Sequence, residues 1–452
     1  MTTASEPPTV AIVGGGLAGL AAALEAAERG LRVALFEQSK TLGGRASSLF
    51  DAETGEWIDS GPHVALGCCA GLLDFCRRIG AGDAFEPHRR LHFIAPNGSR
   101  YDFAPWQWLP PPLHLLPGVM GLRFLSLGQR WAIVRGAMRL GRKPIEGKAE
   151  AGSAEDAQTI GQWLRRHGQS DRAIELFWSP VFVSALGETV DHASLPAARQ
   201  VLVEGFLGSR RASDLLVPRR LLKEVFHVAA SRRLAELGVT IHLAARVERV
   251  IGDCGRGHAI ILPDGTAKQF DFVILAVPWQ RVRSLLADDL WNACPALQGV
   301  ERIEPGTIST VHLWFDRPIT SLPHAVLLGR LGQWLFAREG HLQVVVSAAH
   351  RLIACDPEEL QSRVGEELRT IWPAAREARL LHARVLKHPA AVFSMQPGVE
   401  RLRPAQAMPI GSLFLAGDWT ATGWPSTMEG AVRSGRLAVD ALLRQVYSSR
   451  SA

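Results

Sequence analysis

The sequence predicts an α/β fold, α+β overall, with a buried parallel sheet built from its N-terminal residues. Val10–Val13 is a short apolar run rich in β-branched residues, which is typical of a buried parallel strand. The Ala- and Leu-rich run Leu20–Arg29 has a helix-forming composition, and Gly30 then favours a helix end. Leu31–Phe36 is a second apolar strand, with Glu37 at its end. Strand, helix and strand in this order indicate a Rossmann-like domain.

Three glycines join the first strand to the helix in the pattern G-x-G-x-x-G. Gly14 permits the tight turn, Gly16 lets the backbone approach a pyrophosphate, and Gly19 lets the helix pack closely on the sheet. The helix N-terminus offers backbone N–H groups to phosphates. Glu37, about 20 residues further on, is placed to accept hydrogen bonds from ribose hydroxyls. The pattern predicts dinucleotide binding, and a glycine-rich turn in another α/β protein is the alternative.

Length, composition and charge limit the organisation and the partners. At 452 residues the chain exceeds one ordinary domain, so we expect two connected domains. An apolar content of 47% supports a sizeable core. The net charge of +6 and a pI near 9.2 favour an anionic surface. No nucleic-acid module is visible, so we expect no nucleic acid partner. The charge favours a membrane surface or carries no functional meaning.

The cysteines and the N-terminal residues indicate a compartment. None of the six cysteines has the C-x-x-C spacing of a metal site, so no metal is expected. Scattered thiols in a chain of this length are typical of a reducing compartment. Met1–Pro8 is polar and lacks the apolar core of a signal peptide, and no run of about 20 apolar residues is present. We therefore expect a cytoplasmic protein, with peripheral membrane association at the inner face as an open alternative.

Two loops after the second strand carry candidate site residues. Gln38–Ala46 contains adjacent glycines followed by Arg45, which is placed to pair with a pyrophosphate. Glu56–His63 begins as a short strand and continues through a Gly-Pro turn to His63. Gly61 in that turn suggests close approach of the backbone to a ligand. An ordinary surface arginine and a structural histidine are the alternative interpretations.

The segment 104–142 has the composition of a membrane-facing surface. Ala104–Pro117 is apolar, and its prolines exclude a continuous helix. Leu122–Arg142 is predicted to be a helix with an apolar face flanked by arginines, as in interfacial helices. The face holds Leu127, Trp131, Val134 and Met138, and the flanks hold Arg123, Arg130, Arg135, Arg139 and Arg142. The alternative is a core helix with a solvated basic edge.

Two further stretches are informative. Phe177–Val183 is strongly apolar and aromatic, so it either belongs to the core or lines an apolar substrate cavity. Ser412–Asp418 is a predicted strand ending in Gly417 and Asp418, and a loop and the helix Met428–Gln445 follow. Asp418 is placed to bind a hydroxyl of a cofactor, and the helix N-terminus to face its pyrophosphate or ring. A turn aspartate that caps a helix is the alternative.

The glycine motif and Gly417-Asp418, far apart in sequence, must meet in space to bind one cofactor. This arrangement resembles the FAD-dependent amine oxidase and phytoene desaturase superfamily over nearly the whole chain. Within it, the sequence resembles the squalene-associated FAD-dependent desaturase group. The motifs that carry the resemblance are Gly43–Ser48, Ile58–His63, Phe177–Pro180, Asp214–Arg219, Val311–Pro318 and Ala416–Ala431. Ala185–Gly187 departs from the group, which usually has Leu-Asn there, so this part of the cavity is less defined.

The resemblance implies FAD as the cofactor and a discontinuous FAD-binding domain at 8–70, 214–282 and 405–447. A substrate-binding domain of mixed sheet and helices, 71–213 and 283–404, is inserted in it. The residues expected to bind FAD are Gly14, Gly16, Leu17, Ala18, Gly19, Glu37, Gln38, Gly44, Arg45, Gly61, Pro62, His63, Val247, Gly417, Asp418, Met428, Glu429 and Ala431. Those expected to bind an apolar isoprenoid substrate are Phe177, Trp178, Val181, Trp314 and Trp424.

By resemblance, the reaction is the reductive removal of the hydroxyl of hydroxysqualene to give squalene, in squalene and hopanoid biosynthesis. The hydroxyl is allylic, so its loss leaves a delocalised cation that a hydride from reduced FAD quenches. Departure of the hydroxide needs a proton donor, for which His63 is the first candidate and Asp59 the second. Only one dinucleotide-binding frame is visible, so the sequence does not identify the electron donor.

Three other functions are compatible with parts of the sequence. A carotenoid-type polyene desaturase or isomerase would use the same fold with hydride transfer in the other direction. An amine oxidase commonly frames its flavin with tyrosines, and this chain has only Tyr101 and Tyr447. A non-catalytic isoprenoid-binding escort without FAD is disfavoured by the intact glycine motif, Glu37 and Asp418.

Overall fold

A computed structural model of the chain describes residues 6–142, 155–252 and 258–451. The strands are β1 Thr9–Val13, β2 Arg32–Phe36, β3 Ser48–Asp51, β4 Glu56–Asp59, β5 Ala65–Leu66, β6 Phe85–His88, β7 Leu91–Ile94, β8 Arg100–Phe103, β9 Leu215–Pro218, β10 Thr240–His242, β11 Arg249–Gly252, β12 His258–Ile261, β13 Ala267–Phe270, β14 Phe272–Leu275, β15 Pro305–Phe315, β16 His324–Leu327, β17 Trp334–Ala337, β18 Leu342–Ser347, β19 Leu380–Phe393 and β20 Leu413–Leu415. The helices are α1 Leu17–Glu28, α2 Ala70–Arg78, α3 Leu116–Gly121, α4 Leu127–Gly141, α5 Ile160–Arg166, α6 Asp171–Ala173, α7 Ser179–Leu186, α8 Leu195–Leu202, α9 Ala230–Glu236, α10 Trp279–Leu285, α11 Asp288–Asn292, α12 Pro357–Ile371, α13 Pro373–Glu377 and α14 Met428–Ser451.

A five-stranded parallel sheet with the order β10-β2-β1-β14-β20 brings distant segments of the chain together. β1 is the central strand, paired with β2 on one side and with β14 on the other. Val10, Ala11 and Ile12 on it have no exposed surface. This burial explains why β1 is an unbroken apolar run, because both faces of a parallel sheet are covered. The predicted strands in 10–13 and 31–36 are confirmed to within one residue.

Helix α1 begins three residues earlier than the composition predicts, directly after Gly16. The first turn therefore includes Gly19, whose low helix propensity is outweighed by its close packing against the loop before the helix. On the other side, α14 approaches α1 at Gly435, where a Cβ atom would lie 2.3 Å from the carbonyl oxygen of Ala18. The N- and C-terminal helices are thus packed backbone to backbone over the sheet.

The second large sheet is mixed, seven-stranded, and has the order β19-β15-β18-β17-β16-β7-β8. Its long antiparallel pair β15–β19 extends towards the loops that follow the parallel sheet. Asn97-Gly98, a dipeptide typical of hairpin turns, joins β7 to β8, and Gly98 has φ +81° there. The domain boundaries at 70, 213, 282 and 404 remain predictions.

The proline-rich segment contains a 3₁₀ turn, Leu113–Leu115, and the short α3 in place of a continuous helix. Helix α4 then begins at Leu127, later than predicted, because Ser126 and Gln129 form a capping box that fixes its first turn. Ile133, Gly136 and Leu140 on α4 are buried. The helix therefore packs on the core through a face other than the one the sequence marks as apolar.

The predicted apolar face of α4 is largely exposed. Leu127 is 65% exposed, Trp131 48% and Met138 46%, and Val134 is half-buried. Six of the fourteen large hydrophobic side chains that are exposed in the described ranges lie in 104–142: these three together with Trp106, Trp108 and Leu113. No helix among the described residues is long and apolar enough to cross a membrane.

Candidate cofactor and substrate site

The glycine loop lies at the carboxyl end of β1 and is open on one side. Gly14 has φ +111°, and a Cβ atom there would lie 2.4 Å from the carbonyl oxygen of Ala276. A Cβ atom on Gly19 would lie 1.9 Å from the carbonyl oxygen of Gly14, so α1 approaches the loop as closely as glycine allows. A Cβ atom on Gly16 would meet no atom within 4 Å. The open side at Gly16 and the helix N-terminus, with Leu17 and Ala18 in its first turn, fit a bound pyrophosphate.

The Glu37 carboxylate lies beside this loop and is 8% exposed. Its Oε2 accepts a hydrogen bond of 2.6 Å from the Gly15 N–H, and its Oε1 accepts one of 2.8 Å from the Ser39 N–H. The side chain thus holds the glycine loop to the end of β2. Each oxygen retains a second acceptor site, so the predicted contact with a ribose is compatible with these bonds.

The loop after β2 packs directly on the glycine loop. The Gly43 N–H donates to the Gly15 carbonyl oxygen at 2.9 Å. Gly44 has φ +61°, and a Cβ atom there would lie 3.1 Å from the Cα atom of Gly16. Gly44 therefore borders the open side of the loop as predicted from its sequence position, although its contact with FAD remains a prediction.

Two other expected cofactor residues lie near the end of β2. Gln38 directly follows Glu37 and is exposed. Val247 is 5% exposed, and the segment that precedes it is held to β2 by the Ala245 N–H, which donates to the Glu37 carbonyl oxygen at 2.9 Å. The structure thus brings both residues to the ribose end of the predicted site.

Arg45 and Asp418 form an ion pair that joins the N-terminal and C-terminal parts of the site. Arg45 Nη2 lies 2.5 Å from Asp418 Oδ1, and Arg45 Nη1 donates to the Ala391 carbonyl oxygen at 3.0 Å. The Ser426 hydroxyl donates to Asp418 Oδ2. Burial opposes ionisation of Asp418, but Arg45 and the Ser426 hydroxyl hold its pKa below the ordinary value. Gly417, next to it, donates its N–H to the Ser434 hydroxyl at 2.8 Å.

Arg403 is a site residue that the sequence does not reveal. Its side chain is fully buried, and its Nη2 donates to the carbonyl oxygens of Asp418 at 3.0 Å, Thr420 at 2.6 Å and Trp424 at 2.8 Å. It therefore fixes the backbone of the loop between β20 and α14. An arginine preceding a proline, outside every motif, gives no local signal for this role.

The loop 60–63 is tied to Arg45 and to the seven-stranded sheet. The Ser60 hydroxyl donates to the Arg45 carbonyl oxygen at 2.9 Å. His388 Nε2 lies 3.1 Å from the Ser60 carbonyl oxygen, and Arg338 Nη2 donates to the Pro62 carbonyl oxygen at 3.2 Å. His388 and Arg338 are long-range partners that sequence patterns did not identify. Gly61, Pro62 and His63 are thereby held next to Arg45.

His63 has an unusual backbone and a half-buried ring. Its φ is +43°, and its Nδ1 lies 2.9 Å from the Gly61 carbonyl oxygen. Because a carbonyl oxygen only accepts, Nδ1 carries the proton and Nε2 of the neutral ring is an acceptor. Burial lowers the pKa of His63 to about 4, and the neighbouring His388, Arg45 and Arg338 act in the same direction. A ring with this pKa is uncharged at neutral pH, which favours an accepting role, and the role of His63 as proton donor stays a prediction.

Asp59, the second candidate proton donor, is engaged in structural hydrogen bonds. Its Oδ1 accepts from the Ser48 hydroxyl at 2.7 Å and from the Leu222 N–H at 2.9 Å. Burial raises the pKa of Asp59, while these two hydrogen bonds oppose the rise. The carboxyl group is 5% exposed and joins the β3–β4 hairpin to the segment after β9. Its geometry supports an anchoring role.

The Glu429 side chain has structural partners, and its contact with FAD stays a prediction. The carboxylate is fully buried and accepts from the Gly71 N–H at 3.1 Å and from the Leu72 N–H at 2.6 Å. It thus occupies the N-terminus of α2, where a negative charge is stabilising. Only its backbone remains for a cofactor. Met428 and Ala431, on either side of it in the first turn of α14, are half-buried.

Two of the expected substrate residues have partly accessible side chains on neighbouring turns. Phe177 and Val181 are half-buried. Trp178 between them is completely buried, stacks on Phe182 and donates its Nε1–H to Gln169 at 2.9 Å. Trp178 is therefore packed in the core, and its contact with the substrate stays a prediction.

The remaining two expected substrate residues lie in different surroundings. Trp314 stacks on His341, with ring centroids 4.7 Å apart, and its Nε1 lies 3.4 Å from Glu56 Oε2. Trp424 lies under the Arg433 guanidinium, 4.3 Å from the ring centroid. Both are 7% exposed. Neither residue has an observed ring contact with Phe177, so the five residues do not form one aromatic cluster.

Comparisons with known proteins agree with this geometry. The profile of the family described as "Flavin containing amine oxidoreductase" matches residues 17–443. A hydroxysqualene dehydroxylase of Rhodopseudomonas palustris is 29% identical over 446 residues, with 96% of this chain and 98% of the relative covered. A 15-cis-phytoene desaturase of Solanum lycopersicum is 25% identical, with 97% of this chain and 78% of the relative covered.

Among solved structures, cyclohexylamine oxidase from Brevibacterium oxydans superimposes with a TM-score of 0.72 and 18% identity, with 98% of this chain and all of that chain covered. This likeness confirms the predicted fold. The family match, to flavin-containing enzymes over residues 17–443, supports FAD as the cofactor. The open side at Gly16, the helix N-terminus of α1 and the buried Asp418 are the features of this chain that fit that cofactor.

We predict that Gly16→Ala leaves the fold intact and weakens FAD binding about tenfold or more, a loss of about 1.4 kcal/mol or more. The backbone at Gly16 has φ −74° and ψ 177°, which alanine adopts without strain, and the methyl group meets no protein atom. It occupies the space through which a pyrophosphate approaches the backbone. FAD titration of the apoprotein measures the affinity, and thermal unfolding of the apoprotein measures the fold.

Gly365→Ala in α12 is the matched control, since a Cβ atom there approaches only the Arg369 side chain at 4.0 Å. We expect this variant to bind FAD as the parent does. Undiminished FAD affinity in Gly16→Ala would show that the cofactor does not approach the loop at this glycine.

Proposed function

Since the chain belongs to the family of flavin-containing amine oxidoreductases and is an FAD-dependent oxidoreductase, we propose that it converts hydroxysqualene to squalene, as a step of squalene and hopanoid biosynthesis. The observation that carries the proposal is the end-to-end match with a hydroxysqualene dehydroxylase, which leaves almost nothing of either chain uncovered. A probable zeta-carotene desaturase is covered over the same 98% of its length but at a lower identity of 26%, so the higher identity to the dehydroxylase favours the proposal. The substrate is an apolar isoprenoid with a single hydroxyl group.

The reaction exchanges one bond for another at an allylic carbon. The C–O bond breaks, the hydroxide leaves and takes up a proton to become water, and a hydride forms the new C–H bond. Bound FAD in its reduced form supplies this hydride. The protein must hold the substrate carbon in place, exclude bulk water and assist the departure of the hydroxide.

We assign His63 the role of orienting the substrate hydroxyl. Its neutral ring offers the Nε2 lone pair as a hydrogen-bond acceptor, while Nδ1–H is engaged by the Gly61 carbonyl oxygen. Arg45 and Arg338 lie close enough to lower the pKa of this ring, and positive charge at this place also favours the departure of a negatively charged hydroxide. Asp59, whose pKa burial raises, then remains the candidate donor of the proton for that hydroxide.

A polyene desaturase or isomerase of the carotenoid type is the second candidate function. It is supported by a match of 25% identity to a phytoene desaturase over 97% of this chain. The two functions differ in the direction of hydride transfer, because a desaturase takes a hydride from its substrate whereas a dehydroxylase delivers one.

An anaerobic assay separates the two functions. We predict that photoreduced protein mixed with hydroxysqualene regains the absorbance of oxidised flavin, with one squalene formed for each flavin oxidised. Omission of hydroxysqualene is the control. Flavin reduction by a polyene, starting from oxidised protein and without reoxidation by hydroxysqualene, would assign the desaturase function. Absence of both reactions in FAD-loaded protein would favour a non-catalytic isoprenoid-binding escort.

The pH dependence tests the role of His63. With a pKa of about 4, the His63 ring is neutral above about pH 5. We therefore predict that titration of His63 does not change the rate of flavin reoxidation between about pH 5 and 8. If His63 donated the proton, the rate would instead fall about tenfold per pH unit above its pKa. We expect His63→Ala to retain FAD and to lower the rate about tenfold or more without changing the pH profile. A pH-dependent limb present in the parent and lost in His63→Ala would restore His63 as the acid.

We also propose that the exposed apolar side chains of 104–142 contact a membrane, from which an isoprenoid substrate would enter. Leu127, Trp131 and Met138 project from α4 on the side away from its buried face. Exposed arginines at 123, 135 and 139 accompany them, as in helices that lie in a lipid interface. This arrangement supports peripheral association, for which no membrane-spanning helix is required.

We predict that Leu127→Ser with Trp131→Ser reduces sedimentation with liposomes of phosphatidylcholine and phosphatidylglycerol about tenfold or more, because the two side chains lose their apolar burial in the lipid. Leu381→Ser with Val228→Ser is the matched control, since both of these residues are more than half exposed elsewhere on the surface. Equal sedimentation of the parent and the α4 variant would show that this face does not contact lipid.

A further inference from the structure

A cavity of about 760 Å³ lies between α4, α5 and α8. None of the residues that line it belongs to the sets expected to bind FAD or the isoprenoid. Its lining includes Arg139, Arg166, Arg199, Gln158, Gln162 and Trp163. The cavity is therefore polar and basic, unlike a site for an apolar substrate.

Positive charge predominates in this arginine pocket, which we define by Arg139, Arg166 and Arg199. One carboxylate, Glu155, lies opposite the three guanidinium groups. Arg199 Nη1 lies 3.2 Å from Glu155 Oε2. Asp156, the neighbouring carboxylate, is paired at 2.7 Å with Arg401, which does not line the pocket. The lining residues that the structure describes thus carry more positive than negative charge.

Two buried donors of the pocket have no acceptor among the residues that the structure describes. Arg199 is 8% exposed, and its Nε–H is buried without a hydrogen-bond partner. The side-chain amide nitrogen of Gln158 is likewise buried without a partner. A buried donor without an acceptor costs about 1–3 kcal/mol, so nearly all such groups in proteins are satisfied. Arg199 and Gln158 both line the pocket, so these donors lie next to the space that a ligand would occupy.

We propose that the arginine pocket binds the phosphate group of a phosphate ester. A phosphate presents several acceptor oxygens with negative charge, and arginine forms charge-assisted, often bidentate hydrogen bonds with it. The pocket is larger than a bare phosphate needs and has Trp163 on its wall, stacked on His167 with ring centroids 4.0 Å apart. The remainder of the ester therefore has room beside an aromatic surface.

Two sources would present this chemistry. One is the headgroup of an anionic phospholipid, since Arg139 belongs to α4, the helix that carries the exposed apolar face. The other is a soluble phosphate ester. The proposal does not depend on the reaction assigned above, because no catalytic or cofactor residue lines the pocket.

The test uses the FAD-loaded full chain and isothermal titration calorimetry with two probes. Glycerol 3-phosphate, with glycerol as its uncharged control, represents a soluble ester. Dihexanoyl phosphatidylglycerol below its critical micelle concentration, with dihexanoyl phosphatidylcholine as its zwitterionic control, represents the lipid headgroup. Arg166→Gln removes an exposed pocket arginine. Arg165→Gln is the matched control, because Arg165 pairs with Asp191 and does not line the pocket.

We expect at least one probe to bind, and its Kd to rise about tenfold or more in Arg166→Gln but not in Arg165→Gln. The probe with the lower Kd identifies the source of the phosphate. Failure of both probes to bind the parent would overturn the proposal. Equal weakening in the two variants would overturn it as well, since that result would reflect overall surface charge.

Discussion

The buried carboxylate of Asp418 holds the two ends of the chain to one site. A buried charge is costly unless it is paired and hydrogen-bonded, and here Arg45 and the Ser426 hydroxyl supply both conditions. Arg45 in turn binds the Ala391 carbonyl oxygen and, through its own carbonyl oxygen, the Ser60 hydroxyl. The glycine loop, the His63 loop, strand β19 and the β20–α14 loop thereby meet around one ion pair. Loss of Arg45 would leave the buried Asp418 carboxylate without its ion-pair partner and would remove the contacts of Arg45 with strand β19 and with Ser60.

The sequence predicts those parts of the site in which a short sequence pattern is compatible with only one local structure. Gly14, Gly16 and Gly19 follow an apolar strand and open a helix, so their spacing alone indicates a turn, a close approach and a packed helix. The turn at Asn97-Gly98 is predicted for the same reason, because a left-handed backbone between two alternating strands favours that dipeptide. In these cases the interacting residues lie within a few positions of one another.

The parts that the sequence does not predict depend on partners far along the chain. Arg403, Arg338 and His388 bind backbone carbonyl oxygens of the site loops, and a basic residue that serves a remote carbonyl group has no pattern of its own. The roles of individual site residues are hard to predict from the sequence for the same reason. Glu429 stands beside the predicted cofactor site in sequence, yet its carboxylate caps α2. His63 has the residue type of a proton donor, but burial and two arginines determine that its ring is neutral.

The geometry of α4 explains how one helix can contact the protein core, a lipid surface and the arginine pocket. At 3.6 residues per turn, Ile133, Gly136 and Leu140 fall on one side, and Leu127, Trp131 and Met138 fall on nearly the opposite side. Arg139 lies between these two sides, on the flank that borders the arginine pocket. A helix that inserts its apolar side into lipid would therefore carry this flank at the level of the headgroups, where phosphates are concentrated. The core side fixes the helix to the protein, so lipid contact and phosphate binding would act on a rigid element and not on a mobile loop.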